Sequence, residues 1–294
     1  MTRVLVWVSV VAAGLAVAYL VIGYVVAARL SAPVRKPVER TPADVGLDYR
    51  EVNFRSADGL VLSAWWVETK GSSRAAVLVH GWVGDRSDLH VVETARVYER
   101  AGYNVLMLDL RGHGGSGGER VTLGYREARD VRGALSWLEQ RGFDPEEVVL
   151  HGWSMGGAAV LRAAPGTGVS AVVEESTYAD LPPLLWERIP EVSGLPAFFT
   201  PGIFLMGRLF LGIDAWAVRP EEQARQLFRE GVPFMIIHSR DDEVVPFEHA
   251  ESLAKAYPGA TFWKIEGYEH VGAFAHPEYR ERLVSFLGEA GVVR

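Results

Sequence analysis

The sequence predicts an α/β domain: a mostly parallel central sheet with helices on both faces, a helical cap insertion, and one apolar helix ahead of it. Three observations carry this expectation. Apolar β-type runs alternate with helix-period segments along most of the chain, the alternation breaks once near residues 178–231, and no charged side chain occurs from Val4 to Ala28. Strand and helix alternation implies a parallel sheet covered on both sides. The 294 residues are 49% hydrophobic and 23% charged, which fits a folded domain rather than a disordered or polytopic chain.

Val4 to Ala28 is long enough, at about 1.5 Å per residue, to cross a hydrocarbon core of about 30 Å. A signal peptide has a shorter apolar region of about 7 to 15 residues. Residues 1–30 therefore read as a single transmembrane anchor. Arg3 precedes the segment, whereas Arg29, Arg35, Lys36 and Arg40 follow it, which favours a main domain on the cytoplasmic side of the membrane. Residues 31–46 carry Pro33, Pro37 and Pro42 among charges and read as an extended linker. The folded domain, 47–294, begins near Leu47.

Within it, two strand-like runs between Tyr49 and Val67 flank Ala57-Asp58-Gly59, a hairpin turn signal. Buried strands are expected at Ala75–Val79, Val105–Leu108, Val148–Leu150, Ala171–Val173, Phe234–Ile237 and Thr261–Ile265. Helices are expected near Asp88–Arg100, Leu123–Gln140, Met155–Ala164, Phe247–Tyr257 and Pro277–Glu289. The insertion from Tyr178 to Gly231 reads as a helical cap. Inside it, Leu195 to Ile213 is apolar enough to suggest a second span, but Pro196, Pro201 and Arg208 interrupt it. It reads either as a cap helix pair buried on the core or as a greasy lid that admits acyl chains or dips into the bilayer surface.

Charge and composition remove several classes of function. A net charge of -7 opposes binding to a phosphate backbone, so no nucleic-acid partner is expected. The absence of cysteine excludes disulfides, a thiolate nucleophile and Cys-containing zinc sites. The eight histidines form no H-E-x-x-H pattern, so no metal site is expected, and no cofactor is implied. Gly112-His113-Gly114-Gly115-Ser116-Gly117 fits G-x-G-x-x-G. It follows a later strand rather than opening the first strand-helix unit, and Asp130 falls inside a helical pattern, so a dinucleotide site is disfavoured.

G-x-S-x-G occurs twice, and context separates the two copies. Gly152-Trp153-Ser154-Met155-Gly156 follows the strand Val148–Leu150 and leads into a good helix sequence. That is the strand, sharp turn and helix a serine nucleophile needs. Gly114-Gly115-Ser116-Gly117-Gly118 leads into no helix, and Ser116 reads as a loop serine. A serine nucleophile needs a histidine base, and the base needs a carboxylate to fix its tautomer. The loop after Phe234–Ile237 offers Asp241 and Asp242; the loop after Thr261–Ile265 offers His270. His249 falls on a helical stretch and His276 precedes Pro277, leaving His270 as the better base. Asp242 ranks first as the acid, with Asp241 its rival and Glu174 and Glu175 as outside candidates. Two backbone N–H groups should face the developing oxyanion: those of Met155, after the nucleophile, and of Trp82, after the strand ending in His80-Gly81. His80 itself reads as a loop anchor.

With these pieces in place, the chain resembles the α/β-hydrolase superfamily, notably its membrane-anchored serine hydrolases of the BEM46-like and serine-aminopeptidase-like kind. The matching motifs are His80-Gly81-Trp82, Asp109-Leu110-Arg111-Gly112-His113-Gly114-x-Ser116, Gly152-x-Ser154-x-Gly156, Asp242-x-x-Val245-Pro246 and Gly267-x-x-His270. The resemblance implies the α/β-hydrolase fold, a triad of Ser154, Asp242 and His270, and a structural role for the Asp109–Ser116 loop. Ser239 stands where relatives often have glycine. The expected function is hydrolysis of carboxylic ester or related acyl bonds through an acyl-enzyme, on hydrophobic or lipid-like small molecules. Thioesterase or peptidase action uses the same machinery, and a non-catalytic, membrane-anchored interaction protein of this fold is the alternative from another class.

Overall fold

The computed structural model describes residues 2–290. Its centre is an eight-stranded sheet in the order β1-β2-β4-β3-β5-β6-β7-β8. The strands are β1 (Arg50–Arg55), β2 (Val61–Val67), β3 (Ala75–Val79), β4 (Asn104–Leu108), β5 (Val148–Trp153), β6 (Ala171–Glu175), β7 (Phe234–Ser239) and β8 (Thr261–Ile265). The β1–β2 and β2–β4 pairs are antiparallel and all others are parallel. The opening hairpin turns at Gly59, whose φ of 86° suits a residue without Cβ.

Alternate side chains of the central strands enter two separate cores, as the two-residue repeat of a strand requires. Ala75, Val77, Val79, Leu106, Leu108 and Leu150 face one layer. It is built from α3 (Glu127–Glu139), α4 (Met155–Ala163), α7 (Pro220–Glu230) and α8 (Phe247–Ala256). Ala76, Leu78, Val105, Met107, Val149 and Trp153 face the other, formed by α2 (Leu89–Arg100) and α9 (Tyr279–Glu289).

One expected helix starts late. The pattern suggests Leu123, but α3 begins at Glu127, because Leu123 and Gly124 have φ of 50° and 86°. The Glu127 carboxylate instead accepts from the N–H groups of Thr122 and Gly124 and from the Thr122 hydroxyl, which closes this turn.

The insertion between β6 and β7 contains α5 (Leu181–Ser193), α6 (Thr200–Met206) and a π-helical turn, Gly207–Leu211, before α7. The chain begins with α1 (Thr2–Leu30), a 29-residue helix whose most apolar window has a mean hydropathy of 2.5, a candidate membrane span. The segment after α1 runs along the domain surface. Val34 N–H donates to Gly112 O at 2.9 Å, and the Arg35 guanidinium donates to the carbonyls of Gly114, Ser116 and Gly118.

Candidate active site

The sheet order reverses at β3. The chain leaves β3 toward β4 on one side, whereas β5 is followed by β6 on the other. Such a switch point opens a crevice beyond the carboxyl ends of the two neighbouring strands. Ser154 stands in that crevice, between β5 and α4, with φ 52° and ψ -117°. A non-glycine residue in this region is strained, and packing must hold it there. Glycines permit the turn. A Cβ at Gly156 would lie 2.0 Å from Val79 O, one at Gly157 1.7 Å from Thr177 Oγ1, and one at Gly152 2.4 Å from Gly156 O. The turn is then pinned to β6: Ser154 N–H donates to Glu175 O at 2.8 Å, and Thr177 Oγ1 donates to Ser154 O at 3.2 Å.

Asp242 and His270, on the loops after β7 and β8, are brought together. His270 Nδ1 lies 2.8 Å from Asp242 Oδ2 and 3.0 Å from Oδ1. The carboxylate also accepts from the N–H groups of Val244 and Val245, both at 2.9 Å. Burial pushes the Asp242 carboxyl up. The hydrogen bond and charge of His270 and the Val245 N–H outweigh it and hold the group below its ordinary value. His238 lies 3.4 Å from Asp242, but burial lowers its pKa and favours the neutral ring, whose Nε2 donates to Val245 O. Asp241 points elsewhere, accepting from Gly267 N–H at 2.6 Å.

Glu174 and Glu175 also bond away from His270. Glu174 accepts from Thr177 N–H; burial raises its pKa to about 8. Glu175 accepts from Trp153 Nε1 and from Ala273 N–H, and burial raises it to about 7. Glu175 therefore ties the serine turn, through its carbonyl, to the histidine loop, through its carboxylate. Ser176 Oγ adds a contact from Val271 N–H. The sequence carries a signal for this role: two consecutive carboxylates end a wholly apolar buried strand, where ionised groups are costly unless bonded.

Trp82 and Met155 line the same cavity as Ser154. A Cβ at Gly81 would lie 3.4 Å from Ser154 Cβ, so the β3 loop passes against the serine. Met155 opens α4, where backbone N–H groups lack intrahelical partners. His80 shapes the loop: its Nε2 accepts from Leu110 N–H, and its Nδ1 donates to Gly81 O at 2.7 Å. His113 Nε2 meets Trp82 O at 2.5 Å.

Ser116 lies apart from this crevice. It is buried, its Oγ donates to Asp109 O at 2.6 Å and accepts from Ser63 N–H at 2.9 Å. The same motif carries Arg111, bound to Asp130 and Asp58, each at 2.7 Å. The cavity at Ser154 encloses about 720 Å³, open solvent included, and its walls are mainly leucine, isoleucine and valine from α5 and the loops. Leu30, at the end of α1, is one of them.

A reversed-order parallel sheet with helices on both faces and a strained serine between strand and helix is the architecture of the α/β-hydrolase fold. The alpha/beta hydrolase family model matches residues 76–285, and the chain belongs to that family. It is 29% identical over 250 residues to YfhR of Escherichia coli, covering 80% of this chain and 79% of YfhR. Against the lysophosphatidylserine lipase ABHD12 of Macaca fascicularis it is 28% identical, over 77% of this chain and 59% of ABHD12. Among solved structures it resembles the Pyrococcus furiosus esterase Pf2001, with a TM-score of 0.72 and 25% identity over 88% of this chain and 97% of the esterase.

Proposed function

We propose that this protein is a membrane-tethered serine hydrolase that cleaves carboxylic esters with hydrophobic acyl groups. The observation that carries the reading is Ser154, strained at the head of an apolar cavity also lined by Val244 and Val245, whose N–H groups bond the Asp242 carboxylate that holds His270. Ser154 Oγ attacks the acyl carbon while His270 Nε2 takes its proton. The N–H groups of Trp82 and Met155 stabilise the oxyanion, and His270 returns the proton to the departing alcohol. Water then attacks the acyl-enzyme by the same steps, with His270 as base, and releases the acid. Asp242 keeps His270 in the tautomer that leaves Nε2 able to accept. The similarity to an esterase and to a lysophosphatidylserine lipase supports this reading, and the apolar walls at Ser154 support acyl rather than polar substrates.

In this reading α1 anchors the chain, and the excess of arginine and lysine after it favours a domain on the cytoplasmic face. The test is labelling of the full chain by a fluorophosphonate together with turnover of esters of graded acyl length. Modification at Ser154 and turnover that rises with chain length are expected; an unlabelled, inactive protein would sink the proposal.

A further inference from the structure

The cavity at Ser154 adjoins a second one. This neighbour encloses about 550 Å³, open solvent included, and shares Leu30, Leu123, Leu185 and Ile189 with the first as common walls. Ala27 of α1 and Ile203, Phe204 and Gly207 of the cap are among its other walls, together with Arg208 and Trp216. The two spaces thus lie side by side across their four shared side chains, between the reacting serine and the seam of α1 with the cap.

That seam lies at a defined height on α1. Residues 2–18 are exposed throughout, and contact with the cap begins at Tyr19. There, Tyr19 Oη donates to Phe198 O at 3.0 Å and accepts from Gly202 N–H at 2.9 Å. At Gly23 a Cβ would lie 2.8 Å from the Gly202 carbonyl carbon, so the two helices meet backbone to backbone. The free part of α1 is about 26 Å long at 1.5 Å per residue, less than the roughly 30 Å of a hydrocarbon core. A spanning α1 must therefore sink to Tyr19 or beyond, which brings the cap surface beside it to the edge of the hydrocarbon. That surface is apolar: Phe198, Leu209 and Phe210 are 71%, 63% and 67% exposed, and Phe198 and Phe210 pack on Tyr19 and Tyr24 of α1. Large exposed apolar side chains grouped together mark a contact surface.

We propose that α1 and the cap form a portal by which one long acyl chain passes directly from the bilayer into the Ser154 cavity, so that α1 is a wall of the binding site as well as an anchor. The inference rests on the hydrolase reading above and names its substrate class: a single-chain ester held in the membrane by its acyl tail. Moving that tail through two adjoining apolar cavities avoids exposing its methylenes to water.

The test uses the full chain in phosphatidylcholine vesicles with p-nitrophenyl esters of 4 to 16 carbons. Gly207 has helical φ and ψ of -55° and -47°, and a Cβ there would meet only Ala27 Cβ and Ile213 O, both at 3.9 Å. Gly207→Leu should therefore fill the second cavity without backbone strain and lower the ratio of kcat/KM for the 16-carbon ester to that for the 4-carbon ester at least tenfold. The surface variant Leu209→Ser with Phe210→Ser, which alters no buried side chain, should lower turnover of the vesicle-held 16-carbon ester at least fivefold relative to the same ester in detergent micelles. Unchanged ratios in both variants, with the short ester still cleaved, would overturn the portal alone. Failure of the unaltered protein to cleave even the short ester would overturn the hydrolase reading, and the portal with it.

Discussion

Nδ1 of His270 lies within 3.0 Å of both carboxylate oxygens of Asp242, so one ring nitrogen is committed to the acid. In the proposed reaction this leaves Nε2 to carry the proton. Ser154→Ala should lower ester turnover by several orders of magnitude, and Asp242→Asn by roughly 10⁴, because an amide there can favour the wrong tautomer. Steady-state kinetics on a short ester measures both, and near-normal rates in either variant would contradict the assignment.

The neighbouring aspartate gives a control. Asp241 bonds to Gly267 N–H and not to His270, so Asp241→Asn should change kcat by no more than a few-fold. A loss as large as that of Asp242→Asn would exchange the roles of the two residues.

Glu175 is expected to act through position rather than chemistry. Glu175→Ala removes the acceptor of Trp153 Nε1 and Ala273 N–H and should reduce kcat by ten-fold or more, with KM for a short ester little changed. Glu175→Gln keeps one acceptor oxygen and should restore part of that loss; equal defects in the two variants would point to general destabilisation instead.

Arg111 joins the buried carboxylate of Asp130 to Asp58 at the β1–β2 turn. Removing one partner of a buried pair leaves an uncompensated charge, so Arg111→Ala should cost about 3–5 kcal/mol of stability. Denaturant unfolding measures the loss, and a change below about 1 kcal/mol would show that the network contributes little.

Stability should also depend on pH through Glu174. Burial raises its folded pKa to about 8 from an ordinary 4.5, so between these values the native state holds more protons than the unfolded one. Its contribution to stability is therefore greatest below about pH 4.5 and declines as pH rises through about 8. Glu174→Gln cannot ionise, so the Tm of the variant relative to the native protein should climb from pH 5 to pH 9. A constant difference over that range would mean that Glu174 does not titrate there.

The sheet was legible in the sequence because its buried strands are short apolar runs separated by helix-period segments, a pattern that a covered parallel sheet enforces. Ser154 stood out because a sharp strand-to-helix turn tolerates few residue types: Gly156 and Gly157 have backbone or side-chain atoms where any Cβ would go. Asp242 and His270 were readable as polar residues following the last two strands. Three features were not legible. The late start of α3 depends on Glu127 folding back on its own turn, which competes with a helical pattern that by itself extends to Leu123. The role of Glu175 depends on two loops far apart in the chain meeting at one strand end. The docking of α1 on the cap depends on Gly23 and Gly202, residues whose lack of side chain carries no hydrophobic signal.

The close fit of Gly23 against Gly202 bears on how the protein can be handled. Excising α1 to obtain a water-soluble fragment would do more than sever a tether: it would bare the cap side chains Ile189, Ile203 and Leu211 that now pack with Ala27, and delete Leu30 from the lining at Ser154. Such a fragment would be prone to self-association, and under the proposed function any preference it showed among esters would be that of a breached enclosure rather than of the full chain.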